Sequence, residues 1–122
     1  MTNRIESYRD LVVWQRSIDL VVAVYAASKA WPKDEQFGLT SQARRAATAI
    51  PANIAEGYGR DSTGAYQQFL RIAQGSLKEL ETHLIVAERI NIAPRDTVGE
   101  LLHASDEIGR MLRQLIRKLT PQ

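Results

Sequence analysis

The chain has 122 residues, enough for one domain to close a single core, and 16 Lys and Arg against 14 Asp and Glu give a net charge of +2. The absence of cysteine excludes a disulfide framework, a thiolate zinc site, an iron–sulfur cluster and a cysteine nucleophile. Apolar runs are only a few residues long and the first ten residues are polar, so neither a membrane span nor a signal peptide is expected and a cytoplasmic protein with no membrane partner is.

Three breaks divide the chain: Trp31-Pro32-Lys33-Asp34, the glycine-rich stretch from Gly57 to Gly64, and Asn91 to Asp96. Each segment between them repeats apolar residues at i, i+3, i+4 and i+7, the pattern of an amphipathic helix. Helices are expected over about 8–30, 35–57, 62–90 and 95–119, within one domain spanning 1–122. In the first, Leu11, Trp14, Ile18, Val21, Val22 and Tyr25 form the expected core stripe. The second contributes Leu39, Ala43, Ala46, Ala47, Ile50 and Ile54, with Pro51 inside it expected to kink the axis. The third contributes Tyr66, Phe69 and Leu70, then Ala73, Leu77, Leu80, Leu84 and Ala87, with Asp61 or Ser62 as its cap. The fourth, entered through Pro94 with Asp96 or Thr97 in its first turn, contributes Val98, Leu101, Ser105, Ile108, Leu112, Leu115 and Leu119. Short connections between helices of matched length predict an all-α, antiparallel up-down-up-down four-helix bundle.

Two surfaces exceed what an isolated bundle needs. Val13, Leu20, Val24 and Ala27 form a second apolar stripe on helix one, and Ala49, Ala52 and Ala55 form a smooth strip on helix two. Both are read as oligomer interfaces. Arg110, Arg113, Arg117 and Lys118 fall in the last fourteen residues with no acid among them, and the three arginines, at i, i+3 and i+7, form a solvent-facing basic stripe. Cations there complement the helix dipole and can also bind phosphate. Arg44, Arg45 and Arg60 are further candidates, expected at the other end of the bundle. Glu81 falls at the edge of the core stripe and needs a partner, and Arg44 or Arg45 is expected to pair with Glu81 or Glu56, within or between subunits.

Sites of chemistry are not apparent. Gly57-Tyr58-Gly59 lacks the third glycine and the preceding strand of a dinucleotide fingerprint, and no lysine follows Gly64 as a nucleotide-hydrolysis loop requires. Glu100-Leu-Leu-His103 is half of a di-iron pattern, whereas His83 has Leu80 where the second glutamate belongs. No catalytic residue, metal or cofactor is expected.

Leu11-Val12-Val13-Trp14-Gln15, Gly38-Leu39-Thr40-Ser41-Gln42-Ala43-Arg44-Arg45-Ala46-Ala47, Ile50-Pro51-Ala52-Asn53-Ile54-Ala55-Glu56-Gly57 and Phe69-Leu70-Arg71-Ile72-Ala73-Gln74-Gly75-Ser76, the last followed by Glu79 and Glu81, together resemble the bacterial four-helix bundle proteins of the 23S ribosomal RNA intervening-sequence family. The resemblance covers about residues 8 to 90 without gaps. It implies a left-handed bundle assembled as a homopentamer around a central channel. A related branch, the accessory variability proteins of diversity-generating retroelements, consists of basic pentamers that engage nucleic acid and a reverse transcriptase. At +2 per subunit, five copies of this chain carry a modest +10. Two readings stay open: an RNA- or DNA-binding accessory protein, and an assembly or adaptor protein that binds another protein through an apolar strip.

Overall fold

The computed structural model describes residues 4–120, so the ends of the expected 1–122 domain, residues 1–3 and 121–122, lie outside the described residues. Four α-helices account for most of the described chain, and no strand occurs among the described residues. They are α1 (Val12–Ser28), α2 (Leu39–Tyr58), α3 (Thr63–Arg89) and α4 (Arg95–Leu119). Each packs on its neighbour in the chain, and α4 closes back onto α1.

Local chemistry sets the ends. The first helix starts at Val12, not near residue 8, because Ser7 and Asp10 cap a separate 3-10 turn, Tyr8–Asp10. Ser7 Oγ accepts from the Arg9 N–H, and Asp10 Oδ2 accepts from the N–H groups of Glu6 and Ser7. Of the two candidates for the α3 cap it is Ser62 whose hydroxyl accepts from the Ala65 N–H at 3.1 Å. Helix α4 follows Pro94 directly, and Asp96 Oδ1 accepts from the Thr97 N–H. Helix α2 continues through the buried Pro51.

The turn after α3 is closed by Asn91, whose φ of 65° is left-handed. The Ile92 N–H donates to Ala87 O and the Asn91 N–H to Glu88 O, the paired bonds of a Schellman end. Asparagine tolerates that conformation, whereas a Cβ without a polar side chain does not. Asn91→Ala is therefore expected to cost about 1 kcal/mol in urea unfolding, with Asn91→Gly close to neutral.

The core follows the expected stripes of α2, α3 and α4. Ile50, Ile54, Leu70, Leu77, Leu80, Leu84, Ile108 and Leu112 are all fully or almost fully buried. The α2–α3 pair makes the most extensive contact. Small residues permit it: Ala43, Ala46 and Ala47 are buried, and Gly57 lies against the first turns of α3. A Cβ on Gly57 would stand 2.7 Å from Phe69 Cβ and 3.2 Å from Tyr66 O. Alongside, the Tyr58 and Tyr66 rings meet edge to face at 6.0 Å, and burial, reinforced by the Tyr58 phenol, pushes the Tyr66 hydroxyl above the ordinary tyrosine range.

Helix α1 reverses the expectation. Val13, Leu20 and Val24 are buried in the protomer, while Val22 and Tyr25 are exposed and Leu11, Trp14, Ile18 and Val21 are only half-buried. The helix does have two apolar faces, but they exchange roles. The inward face also carries Ser17 and Ser28, fully or almost fully buried, whose hydroxyls donate to the carbonyls of Trp14 and Tyr25 three residues back. Those self-satisfied serines let a polar residue face the core, and they interrupt the inward stripe so that the outward one reads as the more continuous.

Candidate functional site

Contacts between helix ends divide the basic residues into two groups. Gln67, in the first turns of α3, donates through Nε2 to Ile116 O and Thr120 Oγ1 at the end of α4. Gly57, at the end of α2, packs on the same first turns of α3. The α4 stripe and Arg60 therefore share one end of the molecule, which corrects the expected separation. At the other end, Arg44 reaches from the early part of α2 to the last turn of α1.

Three of the seven candidate cations have protein partners among the described residues. Arg44 Nε donates to Ser28 Oγ at 2.8 Å and a terminal nitrogen to Tyr25 O at 3.4 Å, and its guanidinium lies 4.6 Å from the centroid of the Tyr25 ring. Arg60 pairs with Glu56 at 2.9 Å and covers the Phe69 ring at 4.7 Å. Arg110 pairs with Asp106, one turn upstream of the acid-free segment. Arg113, Arg117 and Lys118 are exposed, with no ion pair among the described residues. Arg45 is likewise exposed and unpaired.

The expected link between Arg44 or Arg45 and Glu81 or Glu56 does not form within the protomer. Glu81 instead accepts from the buried Ser105 hydroxyl on α4 and from Lys78 Nζ at 3.2 Å. The need for a partner at the core edge was legible, but its identity depends on how α4 is placed against α3. His83 lies 3.4 Å from Glu79 on its own helix, and His103 is exposed. Among the described residues no three His, Cys, Asp or Glu converge in a way that could hold a metal.

The apolar surface has moved accordingly. Val13, Leu20 and Val24 form no free outer face because they fill the bundle interior, and Ala27 packs half-buried against the core. Ala49 and Ala55 are half-buried and Ala52 is exposed, so the α2 strip does reach the surface. The outward apolar residues include Val12, Val22 and Tyr25 on α1, Ile72, Ile85 and Val86 on α3, and Ile90 just past the end of α3. In the loop before α2, Phe37 is 90% exposed. Sequence patterning does not single it out; the available signal is one large aromatic in a loop bounded by Pro32 and Gly38.

No helix among the described residues is long and apolar enough to cross a membrane. No curated protein matches the chain. A crystal structure of a protein with unknown function from the S23 ribosomal protein family of Bacteroides thetaiotaomicron superposes with a TM-score of 0.80 at 26% identity, covering 86% of this chain and 98% of the other. The model of the 23S rRNA-intervening sequence protein family matches residues 9–114, nearly the whole of the four helices, and the chain therefore belongs to that family.

Proposed function

We propose that this chain is a non-catalytic, nucleic-acid-binding accessory protein that works as a homo-oligomer of up-down-up-down bundles, with RNA as its partner. The observation that carries the binding reading is the exposed row Arg113, Arg117 and Lys118, which has no acid to neutralise it and shares its end of the molecule with Arg60. A net charge of +2 attracts phosphate weakly, so the effective charge has to be local and repeated by copies of the subunit. The end-to-end contacts of α1 with α2, α2 with α3 and α3 with α4 support the up-down order. Outward apolar residues on α1 and α3 support self-association, and the number of copies implied by the family resemblance is five.

The test is a fluorescence titration of a structured RNA and of a single-stranded oligonucleotide, at 50 and 200 mM salt, with the wild type and an Arg113/Arg117/Lys118 triple alanine variant. Each phosphate neutralised on a single strand contributes about −0.7 to the log–log salt slope, so loss of three contacts flattens the slope by about 2 per subunit engaged. Equal slopes for the two proteins would reduce the stripe to a helix-dipole complement. Absence of binding by the wild type at 50 mM would favour the adaptor reading, with the Ala49, Ala52 and Ala55 strip as the surface to alter.

A further inference from the structure

Beyond the α4 stripe, the opposite end of the bundle holds a second constellation. Two adjoining cavities open where the end of α1, the 31–37 loop and the first turn of α2 meet, of about 260 and 380 Å³. Gln36, Thr40 and Arg44 line both. The first adds Lys29 and Lys33, the second Arg45 with the rings of Tyr25 and Phe37. No carboxylate lines either cavity: Asp34 and Glu35 belong to the same loop, but Glu35 is turned to the α2 N-terminus, where Oε1 accepts from the Leu39 N–H at 3.1 Å.

Thr40 is the second and independent sign of a ligand. Its residue is 6% exposed, it lines both cavities, and its hydroxyl oxygen is buried without a hydrogen-bond partner. Such a group in a folded protein calls for a missing acceptor or donor, because an unsatisfied buried hydroxyl is costly to keep. The surrounding charge says which: Lys29, Lys33, Arg44 and Arg45 line the two cavities with positive charge alone and favour an anion. Arg44 spends two of its five N–H donors on Ser28 and Tyr25 and keeps the rest.

The exposed rings narrow the anion further. Phe37, at 90% exposure, loses nothing by covering a flat apolar partner, and Tyr25 is 40% exposed on its free side with Arg44 on the other. A planar π-face beside clustered cations is the combination that takes a nucleotide of a single strand, base on the ring and phosphate on the charges. A duplex offers no such face, because its bases are stacked inside.

We propose that the end of the bundle formed by α1, the 31–37 loop and α2 is a single-stranded nucleotide site, with the base on Phe37 and the phosphate held by Lys33, Arg44 and the Thr40 hydroxyl. The proposal rests on the nucleic-acid reading above and deepens it, by assigning single-strand contacts to the end away from the α4 stripe.

The experiment titrates the full-length protein and its Phe37→Ala, Lys33→Ala and Thr40→Val variants with labelled oligouridine and, separately, with a blunt RNA duplex. Phe37→Ala is expected to weaken oligouridine binding about 10-fold at unchanged salt slope, the signature of lost stacking. Lys33→Ala should flatten that slope by about 0.7, and Thr40→Val should weaken the strand while leaving the duplex alone. Duplex binding should be the same for all four proteins. The proposal is overturned if oligouridine binds the Phe37→Ala and Lys33→Ala variants as it binds the wild type, even where duplex binding persists and the parent reading stands. It is overturned equally if Phe37→Ala changes the particle mass in light scattering, because Phe37 is then buried between copies. Failure of both nucleic acids to bind the wild type sinks the parent reading and this one together.

Discussion

Leu20→Glu is expected to unfold this protein, whereas Val22→Glu, two residues away, is expected to leave the fold intact and to break the proposed assembly. Two helical positions apart means roughly 200° around the axis, so the two side chains face opposite ways. Leu20 is 2% exposed in the protomer core and Val22 is 63% exposed. A carboxylate at position 20 loses the burial of a leucine, about 2 kcal/mol, and adds an unpaired charge in an apolar interior. Together these approach the whole stability of an ordinary domain, about 5–15 kcal/mol. Thermal melts followed by circular dichroism should show Leu20→Glu without a cooperative transition. Val22→Glu should melt within a few degrees of the wild type, and light scattering should show it falling towards the 13.7 kDa of a single chain. The reverse pair of results would mean that α1 turns the Val22 face inward and the Leu20 face outward.

The second large effect is at Gly57. In an ordinary helix interior, replacing glycine by alanine gains about 1 kcal/mol. Here the added methyl would meet Phe69 Cβ at 2.7 Å and the Tyr66 carbonyl at 3.2 Å. A carbonyl in the first turns of α3 cannot swing aside as a side chain can, so α2 and α3 must separate. Overpacking of that kind costs about 1–3 kcal/mol, and a net loss of about 2 kcal/mol is expected for Gly57→Ala in urea unfolding. Gly75→Ala supplies the control. Nothing lies within 4 Å of a Cβ at Gly75, which is exposed on α3, so the usual helix gain should appear there in full. A stabilised Gly57→Ala would show that the α2–α3 crossing has slack the contact distances do not.

How far the sequence could be read depends on how singular each helix face is. On α3 and α4 one apolar stripe dominates, with Ile72, Ile85 and Val86 standing outside it on α3, and Leu70, Leu77, Leu80, Leu84, Ile108 and Leu112 are where periodicity places them. On α1 two faces compete, and Ser17 and Ser28 make the wrong one more regular. Charge partners were harder still. The acid-free run after Arg110 conceals Asp106 only one turn upstream, while Arg44 is taken up by Tyr25 and Ser28, residues on another helix. Thr40 offers no signal in sequence, because its importance lies in a hydroxyl left without a partner.

By itself the sequence determined the number of helices, their breaks, the cores of three of them and the family to which the chain belongs, because 3.6-residue periodicity, proline and glycine act locally and the family motifs are linear. Only the tertiary structure decided which face of α1 points inward, which arginines remain unpaired, and that Phe37, Thr40 and Arg44 gather at one end. Those outcomes depend on the rotation of each helix about its axis and on contacts between residues distant in the chain. Burial in a packed bundle is a property of the neighbours, and no single helix encodes its neighbours.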